Sequence, residues 1–332
     1  MSDAKSARLI NVKSVESIPP AKWSNDISKP ITAYDPMVDE NINPTVHIPV
    51  MPSEAIDSLN IGPGSLVLDG TLGGGGHTRL IAELIGKQGL VVSLDRDATA
   101  ITRCESSLKG LPIILAQSNF SDAPEILEQL DIRFVDAVLL DLGLSSDQLE
   151  DNERGFSFHS NGPLDLRFDK HSGEPAFRLI QRMKQEHLAN LIYQYGEERL
   201  SRRIARKLVR LRDQQELRSA KQIADVIYGC YPNPRQQKVH PATRTFQALR
   251  IAVNDELKSL EIALKRLPDY ISPGGFLSII SFHSLEDRRV KQAFRDDPRL
   301  EPMTRRPIVA KEDELERNPR SRSAKLRFAK RI

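Results

Sequence analysis

The residues best suited to chemistry surround a glycine-rich loop in the first third of the chain. An apolar run ends in Asp69 and enters the segment Gly70–His77, in which five of the eight residues are glycine. Glycines let a strand turn sharply into a helix, whose free N–H groups can then face a ligand. A second apolar run ends in Asp95, and an acid about 20 residues after such a loop can accept hydrogen bonds from a ribose. The pattern favours a nucleoside-cofactor site over a plain glycine-rich surface loop.

The charges around this loop discriminate between cofactors. A dinucleotide site prefers the pattern G-x-G-x-x-G, with a pyrophosphate on the helix N-terminus. Here the order of glycines differs, and the nearest basic residue, Arg79, already lies on the predicted helix. Acids at two strand ends, Asp69 and Asp95, disfavour an anionic ligand and suit a cationic one that carries an amino group and a ribose. S-adenosylmethionine has both features, so the loop predicts a methyltransferase.

Further polar residues follow the other predicted strands, where an open α/β sheet binds its ligands. Asp141 ends an apolar strand, and its carboxylate is expected at the crevice, unless it only caps its own loop. His77 could contact the cofactor or simply begin a helix. Phe120 could cover an adenine face or belong to the core. His283 and Glu286 could line the substrate side or cap the helix that follows them.

The elements that must position these residues alternate between strand and helix. The predicted strands are Leu66–Leu68, Leu90–Leu94, Ile113–Ala116 and Val135–Leu140. The predicted helices are Ser53–Leu59, Thr78–Ile85, Ala98–Leu108 and Ala123–Leu130. Apolar strands that alternate with helices predict a parallel sheet with helices on both faces.

That alternation stops after Asp141, where helical patterns dominate. They include Ala176–Tyr195 and Glu198–Asp213. The α/β pattern resumes with a helix Ala242–Leu267, a turn Ser272–Gly275, a strand Phe276–Phe282, a helix near Leu285 and a closing strand Ala324–Ala329. We therefore predict an α/β fold, a Rossmann-like class I methyltransferase sheet with an inserted all-helical domain. The expected segments are a flexible extension at 1–44, the sheet domain at 45–150 and 235–332, and the inserted domain at 151–234.

Composition excludes several classes of protein. The 332 residues are 39% hydrophobic and 28% charged, as in ordinary globular proteins. No apolar run reaches the length of a membrane span, and the first residues resemble neither a signal nor a transit peptide. Two cysteines cannot build a disulfide framework, and the seven histidines lack metal-ligand spacing. We expect a cytoplasmic protein with no metal.

Positive charge is concentrated in the segment that carries the helical patterns. The net charge is only +3, but residues 151–240 contain 17 Lys and Arg against 11 Asp and Glu. Within the predicted helix Glu198–Asp213, an apolar stripe is accompanied by a basic stripe of Arg199, Arg203, Arg206 and Arg210. Arginines at such spacing can contact successive phosphates, or can form a solvated face. The distribution favours a nucleic acid partner.

Several longer motifs follow one another along the chain. They are Asp69–His77, Asp95–Asp97, Asp141–Leu149, Glu153–Phe158, Gly162–Arg167, Tyr195–Arg199, His240–Arg250, Ser278–Arg288 and Asn318–Ser323. With these motifs the chain closely resembles the bacterial small-subunit ribosomal RNA (cytosine-N4) methyltransferase family, from about Val46 to its C-terminus.

The resemblance implies S-adenosylmethionine as cofactor and the N4 amine of a cytidine in small-subunit ribosomal RNA as methyl acceptor. Matching positions imply cofactor contacts at Gly75, Gly76, His77, Asp95, Phe120, Asp141 and Gln148. We assign Asp141 as the catalytic residue that accepts a hydrogen bond from the amine, and Phe156 or Phe158 could stack on the unpaired base. The expected partner is small-subunit ribosomal RNA, within an assembled or nearly assembled subunit.

Two other classes of protein remain open at this point. A dinucleotide-dependent dehydrogenase is disfavoured by the loop and would bind NADH. A non-enzymatic RNA-binding or ribosome-assembly factor would keep the basic stripe but would need no acid at Asp95. The oligomeric state is left open.

Overall fold

A computed structural model describes residues 48–332 of the chain, so the predicted extension at 1–44 lies outside the described residues. Internal contacts divide the chain into two units. The sheet unit comprises the described residues up to Gly143 together with Ala263–Ile332. The helical unit comprises Leu144–Ile262.

The sheet unit is built on seven strands in the order β3-β2-β1-β4-β5-β7-β6. Strands β1 to β5 are parallel to one another, whereas β7 is antiparallel to both β5 and β6. This arrangement confirms the predicted α/β, Rossmann-like class. The strands are β1 Leu66–Asp69, β2 Leu90–Asp95, β3 Ile113–Gln117, β4 Val135–Asp141, β5 Ile271–Ser281, β6 Leu300–Pro302 and β7 Lys325–Arg331.

Helices connect these strands and build the second unit. In chain order they are α1 Pro52–Leu59, α2 Gly76–Ile85, α3 Ala98–Ser107, α4 Ala123–Gln129, α5 Ser146–Glu150, α6 Ala176–Arg182, α7 Gln185–Gly196, α8 Ser201–Arg212, α9 Ala220–Tyr228, α10 Thr243–Asn254, α11 Glu256–Arg266, α12 Ser284–Asp296 and α13 Glu312–Arg317.

The central strands are mostly apolar because helices cover the sheet. Val67, Val91 and Leu139 are buried in one cluster with residues of α1 and α2. Burial of such side chains is the main favourable term in folding, at about 25 cal/mol per Å² of apolar surface. The sheet is therefore a rigid platform for the polar residues at its carboxyl edge.

The predicted turn Ser272–Gly275 is wrong, because strand pairing already begins at Ile271. The register between β4 and β5 shifts there, since Val135 pairs with Ile271 but Ala137 pairs with Phe276. The intervening residues of β5 form a bulge that lies tightly on β4. A Cβ on Gly275 would lie 2.4 Å from the carbonyl oxygen of Asp136, so only glycine fits.

The helical unit packs its helices around their own apolar core, which contains Ile204 and Leu208 of α8. The predicted helix Ala176–Tyr195 is two helices, because Met183 and Lys184 adopt extended backbone between α6 and α7. The unit is wider than the predicted segment 151–234. In particular, α10 packs against α7 within the helical unit, whereas the sequence pattern attached it to the sheet domain.

Candidate active site

The glycine loop is held by a buried acid at the end of β1. Asp69 is 1% exposed, and its Oδ1 accepts a hydrogen bond of 3.0 Å from the Thr71 amide. Its Oδ2 accepts one of 2.5 Å from the hydroxyl of Thr78, on α2. Burial raises the pKa of Asp69, and these donors oppose that effect. Asp69 therefore shapes the loop instead of facing a ligand.

Thr71 joins the ends of β1 and β4, a role that sequence reasoning missed. Its hydroxyl oxygen accepts a hydrogen bond of 2.6 Å from the amide of Asp141, at the end of β4. The same hydroxyl lies 3.4 Å from Oδ1 of Asp69, to which it donates. One hydroxyl thus sets the spacing between the loop and the predicted catalytic residue.

The loop needs glycine at Gly75 because of both its backbone and its surroundings. Gly75 has a φ of 79°, and a Cβ there would lie 3.1 Å from Sγ of Cys104. Helix α2 begins at the next residue, Gly76, so its first amides point out of the helix without intrahelical partners. The backbone amides there are free to meet a ligand, and the cofactor contacts of Gly75 and Gly76 stay a prediction.

Asp95 anchors the loop from the end of β2. Its Oδ2 accepts a hydrogen bond of 2.8 Å from the Gly73 amide, and its Oδ1 accepts one of 2.8 Å from the Asp97 amide. Each carboxylate oxygen has a second lone pair, so both can still accept from a ribose. Burial raises the pKa of Asp95 to about 6, although both amides favour the charged form. Asp95 is therefore ionised at neutral pH and becomes protonated in mild acid.

His77 lies in the first turn of α2 and faces Asp141. Its Nε2 is 2.9 Å from the carbonyl oxygen of Val50, which can only accept, so Nε2 carries a proton. Its Nδ1 is 3.7 Å from Oδ2 of Asp141. The two side chains are 6% and 19% exposed, so they form a largely enclosed pair at the edge of the loop.

One oxygen of Asp141 is unsatisfied. Within the described part of the chain, the buried Oδ1 of Asp141 has no hydrogen-bond partner. Burial raises the pKa of this carboxyl, against the opposing charges of His77 and Arg320. An unpaired buried acceptor is costly, and the terminal torsion of aspartate is soft, so this carboxylate can turn toward a donor. Asp141 is therefore ready to accept a hydrogen bond from a ligand.

The remaining predicted cofactor contacts lie on different units. Phe120 follows β3 and packs at the end of β1, where a Cβ on Gly70 would lie 2.9 Å from its own Cβ. Gln148 belongs to α5 of the helical unit, where it forms a capping box with Ser145. Its Oε1 accepts from the Ser145 amide at 3.1 Å. The sheet unit thus brings together the predicted contacts other than Gln148.

Three other candidate residues have structural roles. His283 and Glu286 form a capping box at the start of α12, in which the Glu286 carboxylate also accepts from the Phe282 amide at 2.8 Å. In the helical unit, the Phe156 ring is buried and its centroid lies 6.0 Å from that of Phe168. Phe156 is therefore a core residue and not an accessible platform for a base.

Comparison with known proteins identifies the family. A family model described as the MraW methylase family matches residues 44–332. The chain belongs to this family. The resemblance predicted from the motifs is thereby confirmed, and the protein is a methyltransferase.

Similar proteins support the same assignment over most of the chain. The ribosomal RNA small subunit methyltransferase H of Rhodopirellula baltica is 46% identical over 299 residues, covering 87% of this chain and 92% of the relative. The enzyme of the same name from Crocosphaera subtropica is 48% identical over 292 residues, covering 87% of this chain and 90% of the relative. The enzyme of the same name from Synechococcus sp. is 48% identical over 301 residues, covering 87% of this chain and 98% of the relative.

The helical unit of this methyltransferase exposes a row of arginines. Ile204 and Leu208 bury one face of α8, while Arg203, Arg206 and Arg210 are exposed. Arg199, just before the helix, is exposed as well. Within residues 48–332 none of these four arginines forms an ion pair with a carboxylate, so their charge is available to an anionic partner. Among the described helices, none has the length and apolar character that a bilayer span requires.

Proposed function

We propose that this methyltransferase transfers the methyl group of S-adenosylmethionine to the exocyclic N4 of a cytidine in small-subunit ribosomal RNA. The observation that carries the proposal is the Asp141 carboxylate, which lies beside His77 and has an unpaired oxygen. The names of the relatives support ribosomal RNA of the small subunit as substrate. The motif resemblance supports the N4 position.

The residues of the sheet unit fit the cofactor chemically. S-adenosylmethionine carries a sulfonium, an amino group and a ribose, so it requires hydrogen-bond acceptors and negative charge. Asp95 offers its remaining lone pairs to the ribose, and Asp141 offers its unpaired oxygen to a donor. The backbone of Gly75 and Gly76 and the His77 side chain border the same space, and Phe120 covers the adenine. Gln148 joins this set through the family resemblance alone.

Asp141 has a second role at the amine of the target base. The cytosine N4 is a poor nucleophile because its lone pair is delocalised into the ring. A carboxylate that accepts one of its hydrogens favours a more tetrahedral nitrogen, which attacks the methyl carbon as the carbon–sulfur bond breaks. A raised pKa makes Asp141 a better acceptor of that proton. Positioning for in-line attack supplies most of the remaining rate.

The exposed arginines of α8 bind the phosphates of the RNA. The target base must leave its stack before its amine can reach a buried carboxylate. The substrate is an assembled or nearly assembled small subunit in the cytoplasm. The phosphate contacts make its binding strongly dependent on salt.

A methylation assay tests this function. Small subunits and deproteinised ribosomal RNA from a strain that lacks the gene are incubated with the protein and S-adenosylmethionine, and digested nucleosides are analysed by mass spectrometry. We expect N4-methylcytidine at a single position, formed faster on subunits than on free RNA. Methylation of another base or atom would refute the substrate assignment, and binding of NADH in place of S-adenosylmethionine would favour a dehydrogenase.

A further inference from the structure

The segment Ile48–Met51, here called the strap, supports the cofactor loop from outside. The Val50 carbonyl accepts the Nε2 proton of His77, at 2.9 Å. Pro49 packs on the first turn of α2, where a Cβ on Gly76 would lie 3.0 Å from its ring. Val50 and Met51 are fully buried. The orientation of the His77 ring therefore depends on where the strap lies.

The backbone conformation of the strap at Met51 is unfavourable without support from other residues. Met51 has a φ of 50°, in the left-handed region that a residue with a side chain rarely adopts. Such a conformation is energetically unfavourable and persists only where neighbours impose it. Met51 is held by its own helix, since its carbonyl accepts from the Ala55 amide at 2.8 Å, and also by residues from the other end of the chain.

Two residues of the C-terminal segment hold the strap by hydrogen bonds. Oε1 of Glu314, on α13, accepts a bond of 2.6 Å from the Met51 amide. Nδ2 of Asn318, just after α13, donates to the carbonyls of Ile48 and Pro49 at 3.3 and 3.5 Å. Asn318 is buried, and its own amide donates to the Glu314 carbonyl at 2.7 Å. Glu314 and Asn318, here called the clamp, are thus joined to each other.

We propose that Glu314 and Asn318 are positioning residues of the methyltransferase site, which act through the strap on His77. The clamp fixes the Val50 carbonyl, and this carbonyl keeps the proton of His77 on Nε2. Nδ1 then faces Oδ2 of Asp141, 3.7 Å away. This inference rests on the proposed function only in assigning His77 to the cofactor site.

The test compares variants of the clamp in the full-length protein. Glu314→Ala removes the acceptor of the Met51 amide, whereas Glu314→Gln keeps a neutral acceptor of the same length. Asn318→Asp replaces the donor with an acceptor that the two carbonyls repel. Glu316→Ala changes an exposed acid of the same helix and is the matched control. Where Glu314→Ala unfolds the protein, Glu314→Asp serves as the milder variant.

Two measurements are made on each variant, after thermal melting has shown that it is folded. Nitrogen NMR of labelled histidine reports the protonation and hydrogen bonding of the two His77 ring nitrogens in the ligand-free protein, and calorimetry reports the dissociation constant of S-adenosylmethionine. We expect Glu314→Ala and Asn318→Asp to shift the Nε2 signal of His77, because the Val50 carbonyl that accepts from it is no longer held, and to weaken binding by about tenfold. Glu314→Gln and Glu316→Ala should stay within about twofold of the wild type.

The nitrogen signals of His77 distinguish positioning of this ring from simple structural support. Unchanged His77 signals in folded clamp variants would overturn the proposal, whether or not the affinity falls. If the wild-type protein binds no S-adenosylmethionine, the proposed function fails, while the His77 signals still decide whether the clamp acts on this ring.

Discussion

Replacing Asp141 by asparagine should separate its catalytic role from its role in holding the cofactor. Asparagine has the same shape, so its Oδ1 can keep the position of the unpaired oxygen while Nδ2 replaces the oxygen that faces His77. One acceptor then remains at the site, but the negative charge and the ability to take a proton are removed. The variant therefore tests charge with little change in packing.

The magnitude follows from what the substitution removes. Removing one preorganised electrostatic interaction from an enclosed site costs about 2.7–4 kcal/mol, or roughly 10²-fold or more in rate. Asp141 provides such an interaction, because its unpaired oxygen is buried and its carboxylate is 3.7 Å from His77. A weaker affinity for S-adenosylmethionine is expected as well, since the same oxygen faces the cofactor space.

Single-turnover methyl transfer at saturating S-adenosylmethionine is the deciding assay. The rate should remain roughly 10²-fold below the wild type at saturation, and the wild-type rate should fall in acid as Asp141 becomes protonated. A variant rate that returns to the wild-type value at saturation would show that Asp141 only holds the cofactor. The acceptor would then be sought at Ser145, His283 or a backbone carbonyl.

Folding stability should change in the opposite direction to activity. Burial raises the pKa of Asp141 above its unfolded value, so the folded protein holds this proton more tightly than the unfolded chain does. The contribution of this group to stability is therefore present at low pH and is lost as pH rises through the folded pKa. At neutral pH, Asp141→Asn should melt at a higher temperature than the wild type, which is the expected signature of a strained functional residue.

The strands were predictable because a buried parallel sheet is apolar on both faces. The first four predicted strands match β1 to β4 except that each continues through one more residue. Those residues are Asp69, Asp95, Gln117 and Asp141. The site residues Asp69, Asp95 and Asp141 are thus the last paired residues of their strands, so pairing within the sheet fixes where their side chains begin.

The parts that could not be predicted depend on interactions between distant residues. No periodicity shows that the Thr71 hydroxyl accepts from Asp141, or that Glu314 reaches the Met51 amide. The sequence pattern placed α10 in the sheet domain, whereas the structure places it in the helical unit, and the reason is related. An apolar stripe shows that one face of a helix is buried, but it does not say which unit covers that face.

Three further predictions concern the cofactor loop and the arginine face. Binding of S-adenosylmethionine should weaken as pH falls below about 6, where Asp95 becomes protonated. Asp95→Ala should weaken this binding roughly ten- to a hundred-fold at neutral pH, as measured by calorimetry. Unchanged affinity in the folded variant would exclude the ribose contact. Replacing Arg203, Arg206 and Arg210 of α8 by glutamate should lower the slope of log affinity for RNA against log salt concentration. Each arginine that no longer meets a phosphate should reduce the magnitude of this slope by about 0.7–0.9, and cofactor binding should stay intact. An unchanged slope would make that face a solvated surface. Thr71→Val should reduce stability to urea by about 1–3 kcal/mol, because the Asp141 amide and one oxygen of Asp69 are both left without this partner. The exposed Thr102, whose hydroxyl donates within α3, provides the matched control Thr102→Val. If Thr71→Val unfolds at the same urea concentration as Thr102→Val and binds S-adenosylmethionine as well as the wild type, the hydroxyl does not couple the loop to β4.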